Sequence, residues 1–214
     1  MMGDCLPKIV KRERSIKKAQ EILLENNINS LPVNIELLFN KYGYTLVDYA
    51  TAIEYCGGVD PFKFKDIDDC LASTYLSNNR YLTIYKNDIK PYGRFVWTLA
   101  HELGHIVLGH LEDFDETDVR KTLSDNQYLI LEKEADAFAA ELLAPIALLK
   151  NIHGLTPAMI QTMCNVSEEA SIYIYDNVKK FGHKNVYANV EYLFFERFFD
   201  FVMGGERKRF LPSR

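Results

Sequence analysis

The chain has too few cysteines to be held together by them. Only 4 of its 214 residues are cysteine (Cys5, Cys56, Cys70 and Cys164), and no two are spaced as CxxC. That rules out a thiolate zinc knuckle or a thioredoxin-type redox pair, and the thiols read as free in a reducing cytoplasm. A Cys56–Cys70 disulfide is the alternative. No apolar run approaches the roughly 18 residues that a membrane-spanning helix needs. The opening stretch "MMGDCLPKIVKRERSIKK" has no apolar h-region, so neither a secretory signal nor a membrane partner is expected. Basic charge is not in excess either. Lysine and arginine number 25 against 30 acidic residues, a net charge of -5, which argues against direct nucleic-acid binding. Repeats and low-complexity linkers are also absent. What remains is 48% apolar residues in a chain long enough to bury a full core.

Periodicity predicts an amphipathic helix over 8–27, with Ile9, Ile16, Ala19, Ile22 and Leu23 on its apolar side and its basic residues on a solvated face. Asn34 is placed to cap a short helix that Gly43 ends. "YTLVDYA" reads as a strand, and 51–70 as an irregular insertion or flap. "LASTYLSNNRYLTIYKND" reads as two strands joined at Asn78-Asn79. A strong helix is predicted from about 93 to 110, striped by Phe95, Leu99, Leu103, Ile106 and Val107. Residues 111–127 read as a polar loop. A second strong helix, "YLILEKEADAFAAELLAP", closes at Pro145. Shorter helices follow to about 181, and then the aromatic segment "VEYLFFERFFDFVMGG". The expected fold class is α+β: a short, mostly antiparallel sheet packed on the two strong helices, with additional C-terminal helices. The expected division is 1–145 for the core with its N-terminal helix, 146–182 for a small helical unit, and 183–214 for an aromatic-rich extension.

The chemistry lies in "LAHELGHIVLGH", residues 99–110. Residues four apart on a helix lie about 40° apart around its axis, so His101 and His105 share one face and can hold one zinc ion between them. Glu102 points about 100° away. It suits the task of taking a proton from a water that zinc has acidified. Burying two imidazoles and a carboxylate in an apolar stripe without partners would be costly, and a metal removes that cost.

A third ligand is needed. His110 follows His105 by five residues, and on a continuing helix it would point about 140° away. It is therefore expected to cap the helix or to sit at the surface. "LEKEADAFA" offers Glu132 and Asp136 one turn apart. Glu132 completes a two-histidine, one-glutamate set, and Asp136 is placed to accept the ring N–H of a ligand histidine. Glu134 competes as a ligand, but it lies about 200° from Glu132, so the two cannot both face the metal.

"WTLAHELGHIVLGH" and "EKEADAFAAELLAP", with "INSLPVNIELLFNKYGY" upstream, resemble the ImmA/IrrE family of metallopeptidases from about 15 to 180. The resemblance implies a small cytoplasmic zinc protease with a zincin-like domain, its sheet packed on an active-site helix and a second ligand helix, with Zn2+ on His101, His105 and Glu132 and with Glu102 as general base. It also implies a protein substrate, a helix-turn-helix repressor of a mobile element or stress regulon, cleaved at one site. The alternative is a regulator with the protease fold that controls a repressor or toxin–antitoxin partner by binding alone. The segment 155–182 resembles the family's small helical unit, and "NVSEEA" looks like the turn of a helix-turn-helix. With no lysine or arginine over 164–178, it reads as a packing unit. The substrate is expected to lie along the 80–86 strand. His153 and Tyr75 are candidates for stabilising the oxyanion.

Overall fold

The computed structural model describes residues 7–59, 71–112 and 123–202. Among these residues ten helices and a three-stranded sheet form an α+β fold. The basic residues Lys8–Lys18 belong mostly to α1, Arg12–Glu25. This helix starts later than its periodicity suggests, and Ile9 stands outside it, 71% exposed. Its buried face carries Ile16, Ala19, Ile22 and Leu23. Two of its basic side chains, the half-buried Arg12 and the exposed Arg14, make contacts to other parts of the chain. The Arg14 Nη2 donates to the Leu108 carbonyl at 2.7 Å, and the Arg12 guanidinium lies 4.7 Å from the Phe181 ring centre. Helix α2, Ile35–Lys41, starts where Asn34 accepts the Leu37 N–H and ends before Gly43 at φ +71°.

Strand β1, Thr45–Asp48, is shorter than "YTLVDYA" suggests. Asp48 accepts the Thr51 N–H and caps α3, Tyr49–Tyr55, so the first part of the expected insertion is helical. Its remainder, 60–70, lies outside the described residues. Strands β2, Ala72–Ser77, and β3, Arg80–Tyr85, form the predicted hairpin. Asn78 and Asn79 both have positive φ, as a two-residue type I′ turn requires. The strand order is β1-β3-β2. β1 runs parallel to β3 over four residue pairs, and β2 runs antiparallel to it over six. This order corrects the expectation for 80–86. β3 is the central strand with both edges paired, so it cannot accept a substrate strand.

Helix α4, Tyr92–Val107, packs on β2 with one side and on α5, Asp125–Leu143, with the other; α5 in turn packs along α1. A reciprocal Ser124–Gln127 capping box starts α5 three residues before "YLIL", inside the stretch expected to be loop. The rest of that loop, 113–122, lies outside the described residues. Helices α6 (Ile146–Leu149), α7 (Pro157–Cys164), α8 (Glu168–Phe181), α9 (Asn185–Arg197) and α10 (Phe199–Val202) complete the fold. The α7–α8 turn presses its backbone against α4. A Cβ on Gly93 would stand 2.4 Å from the Val166 carbonyl carbon, so glycine is required there. One cluster of buried side chains runs from Ile16 to Phe198 and includes Tyr187, Phe194 and Phe198 from the aromatic segment. Cys56 and Cys164 are free thiols. No helix among the described residues is long and apolar enough to cross a membrane.

Candidate metal centre

Close approach of two helices builds the site. Leu99, Ala100, Leu103 and Ile106 bury one side of α4. Gly104 faces α5, where an added Cβ would lie 3.1 Å from Phe138 Cδ1 and 3.3 Å from the Ala135 backbone. With no side chain between them, the helices bring "HELGH" and "EKEAD" side by side. His101 Nε2 lies 3.3 Å from Glu132 Oε2, His105 Nε2 lies 3.3 Å from Glu132 Oε1, and the two Nε2 atoms are 3.0 Å apart.

These three edges test whether a metal fits. Zinc bonds of about 2.0–2.1 Å in a tetrahedron separate ligand atoms by roughly 3.3–3.4 Å. The distance between the two histidine nitrogens matches that spacing within a few tenths of an ångström, and each histidine stands at that spacing from a different oxygen of Glu132. One donor atom from each of His101, His105 and Glu132 lies within 4.8 Å of the other two. Two imidazole nitrogens and a carboxylate aimed at one point is a costly arrangement unless they share a cation. The set is two nitrogens and one oxygen donor, the type that suits Zn2+.

Each histidine is held from behind. His101 Nδ1 lies 2.9 Å from Asp136 Oδ1. His105 Nδ1 lies 3.1 Å from His110 Nδ1, and His110 Nε2 lies 3.2 Å from Glu134 Oε2. Glu134 Oε1 accepts the Lys11 N–H at 2.6 Å. The expectation for His110 is therefore corrected: it is 3% exposed, neither at the surface nor a cap. The cause is how α4 ends. Gly109 takes φ +73°, its N–H bonds the Ile106 carbonyl, and the His110 N–H bonds the His105 carbonyl. This is a Schellman turn, which sets the residue after the glycine against the residue five before it. The helix does not continue, so the 140° argument does not apply. Glu134 is likewise buried, 3% exposed. Its carboxylate is directed to His110 and Lys11, not to His101 and Glu132.

Burial lowers the His101 pKa, but Asp136 and Glu132 together outweigh it and hold the metal-free ring up at about 10. Burial raises the Glu132 pKa, and the two histidines outweigh that, so its carboxyl stays well below the usual range. For His110, burial dominates and lowers the pKa. Glu102 points to the sheet side of α4. Its Oε2 accepts the Thr74 hydroxyl at 2.6 Å, and Thr74 Oγ1 lies 2.8 Å from Thr83 Oγ1. Thr74 was not foreseen. Its only sequence signal is an inward position on a strand that turns out to face the helix. Tyr75 is half-buried on β2, and His153 is exposed in the turn before α7.

The model of the IrrE N-terminal-like domain, Peptidase_M78, matches residues 68–171. This segment belongs to that family. The IrrE N-terminal-like domain here comprises β2, β3, α4, α5, α6, α7 and the start of α8, a narrower span than the expected 15–180. It is a protease-fold domain, and His101, Glu102, His105, Glu132 and Asp136 all lie inside it. No curated protein matches the chain. Helices α1–α3 and strand β1 precede the matched domain, so Lys11, which touches Glu134, comes from outside it.

Proposed function

We propose that the protein is a zinc-dependent endopeptidase, with Zn2+ held by His101, His105 and Glu132 and with Glu102 as general base. The observation that carries the reading is the convergence of three donor atoms within 4.8 Å, beside a glutamate whose carboxylate is held by Thr74. A bound zinc would supply Lewis acidity and a water of lowered pKa. The chain's own residues supply the rest. A substrate segment lies in extended form across the site, beside Glu102. Thr74 holds the Glu102 carboxylate by one oxygen and leaves the other toward the reacting water. Glu102 takes the proton as the water oxygen attacks the scissile carbonyl carbon. It delivers that proton to the amine as the C–N bond breaks. Asp136 and His110 each hold an Nδ1 so that both Nε2 atoms face the site.

For the substrate class we propose a regulatory protein of the helix-turn-helix repressor type, cut at one site. The family resemblance supports this choice. A cytoplasmic setting agrees with the free Cys56 and Cys164 thiols. Incubation of the zinc-loaded chain with a helix-turn-helix repressor encoded next to its own gene, with and without a chelator, tests the activity. Metal-dependent fragments are expected, and Glu102→Gln is expected to keep zinc and yield none. A stable complex without fragments from the parent chain would show a regulator that acts by binding alone. Equal cleavage by Glu102→Gln would remove Glu102 from its role.

A further inference from the structure

The outer side of His105 leads away from the cluster through a continuous line of buried polar groups. His110 and Glu134 are each 3% exposed, so water does not compete for their hydrogen bonds. The line can be polarised in only one direction. Glu134 lies at its far end as a carboxylate that already accepts the Lys11 N–H. A carboxylate only accepts, so His110 Nε2 must carry the hydrogen that bridges the 3.2 Å between them. A neutral His110 then has a bare Nδ1, and His105 Nδ1, 3.1 Å away, must donate to it. His105 is thereby left with a bare Nε2, the atom that faces His101 and Glu132. The opposite polarity fails twice. It sets the lone pair of His110 Nε2 against a carboxylate, and it puts a hydrogen on His105 Nε2 inside the cluster.

We infer that His110 and Glu134 are positioning residues that fix His105 as the tautomer with Nε2 free to bind a metal. Both are anchored by the N-terminal segment, which lies outside the matched domain. The Lys11 N–H holds Glu134, and Arg14 holds the Leu108 carbonyl in the turn that carries His110. The residues before 68 thus complete the support of a site whose proposed ligands all come after it. This inference rests on the ligand set proposed above.

The test uses the full chain and Zn2+, with dissociation constants from competition against a chelator. His110→Leu, which removes both links, is expected to weaken zinc binding by about 10- to 100-fold, the usual effect of losing a partner behind a ligand. His110→Gln carries an acceptor and a donor on one group and is expected to recover most of that loss. A folded His110→Leu that binds zinc as the parent does would overturn the inference. His110→Leu strands a buried carboxylate and is the variant at risk of not folding. The ring ¹⁵N signals of the zinc-loaded parent therefore give a second reading. Protonated Nδ1 on His105 with protonated Nε2 on His110 is expected, and a hydrogen on His110 Nδ1 would overturn the inference. Glu132→Ala separates the two layers. Unchanged zinc uptake in that variant would sink the ligand set itself. Loss of uptake there, with parental affinity in His110→Leu, would sink only the positioning role.

Discussion

Gly104→Ala separates the stability of the helix pair from the precision of the site it builds. The new methyl would lie 3.1 Å from Phe138 Cδ1 and 3.3 Å from both the Cα and the carbonyl oxygen of Ala135. Comfortable carbon contacts begin at about 3.5 Å, so α4 and α5 must separate by a few tenths of an ångström. Phe138 is fully buried, and the Ala135 contacts are to backbone atoms, so the backbone of α5 has to move. Overpacking of this kind costs about 1–3 kcal/mol, while replacing a mid-helix glycine by alanine returns about 1 kcal/mol. The net loss of stability is about 0–2 kcal/mol, small enough for the variant to remain folded. Metal binding has less tolerance. Glu132 lies one turn before Ala135 on the helix that must move, and zinc bonds accept displacements of about 0.2 Å. Denaturant unfolding of the metal-free chain and zinc affinity by chelator competition are the two assays. The expected result is a modest stability change with zinc binding weaker by about tenfold. Parental or tighter zinc affinity in a folded Gly104→Ala would refute the claim that this close approach sets the ligand geometry.

Two further predictions come from groups near the site and in the core. Glu141 is fully buried, and burial pushes its pKa up to about 8, against the opposing pull of Gln20, the Ile146 N–H and Arg12. A carboxyl raised on folding contributes stability that is complete below its unfolded pKa and is lost as pH rises through the folded one. The parent should therefore lose roughly 2–3 kcal/mol between pH 6 and 8 relative to Glu141→Gln, and parallel stability curves for the two would remove this account. Thr74→Val takes away the hydroxyl that holds Glu102. The cleavage assay should show kcat reduced about tenfold, the equivalent of one lost hydrogen bond to a charged group, with KM little changed. A parental kcat would separate Thr74 from the orientation of Glu102.

The features legible in the sequence are those set by local chemistry. Asn34 caps α2 because its side chain reaches the Leu37 N–H three residues on, and Asn78-Asn79 turns the hairpin because both residues tolerate positive φ. The spacing within "HELGH" and "EKEAD" placed each residue pair on one helix face. What the sequence concealed was the result of chain reversals and distant partners. Gly109 marks a Schellman turn as clearly as Gly43 does, yet the reading carried α4 through it and sent His110 outward. In the fold, His110 instead lies with its ring centre 5.0 Å from that of His105. The central position of β3 depends on β1 crossing over to pair with it in parallel, which no local pattern announces. The contacts of Arg12 and Arg14 were hidden because their acceptors, the Tyr173 hydroxyl and the Leu108 carbonyl, lie far along the chain. The inward aim of Glu134 was hidden for the same reason.

The central claim is that His101, His105 and Glu132 hold one zinc ion together across α4 and α5. Metal analysis of the full chain after exposure to Zn2+ and removal of the excess tests it most directly, with Glu132→Ala measured beside the parent. The account predicts about one zinc per chain in the parent and almost none in Glu132→Ala. Equal zinc content in the two would contradict it.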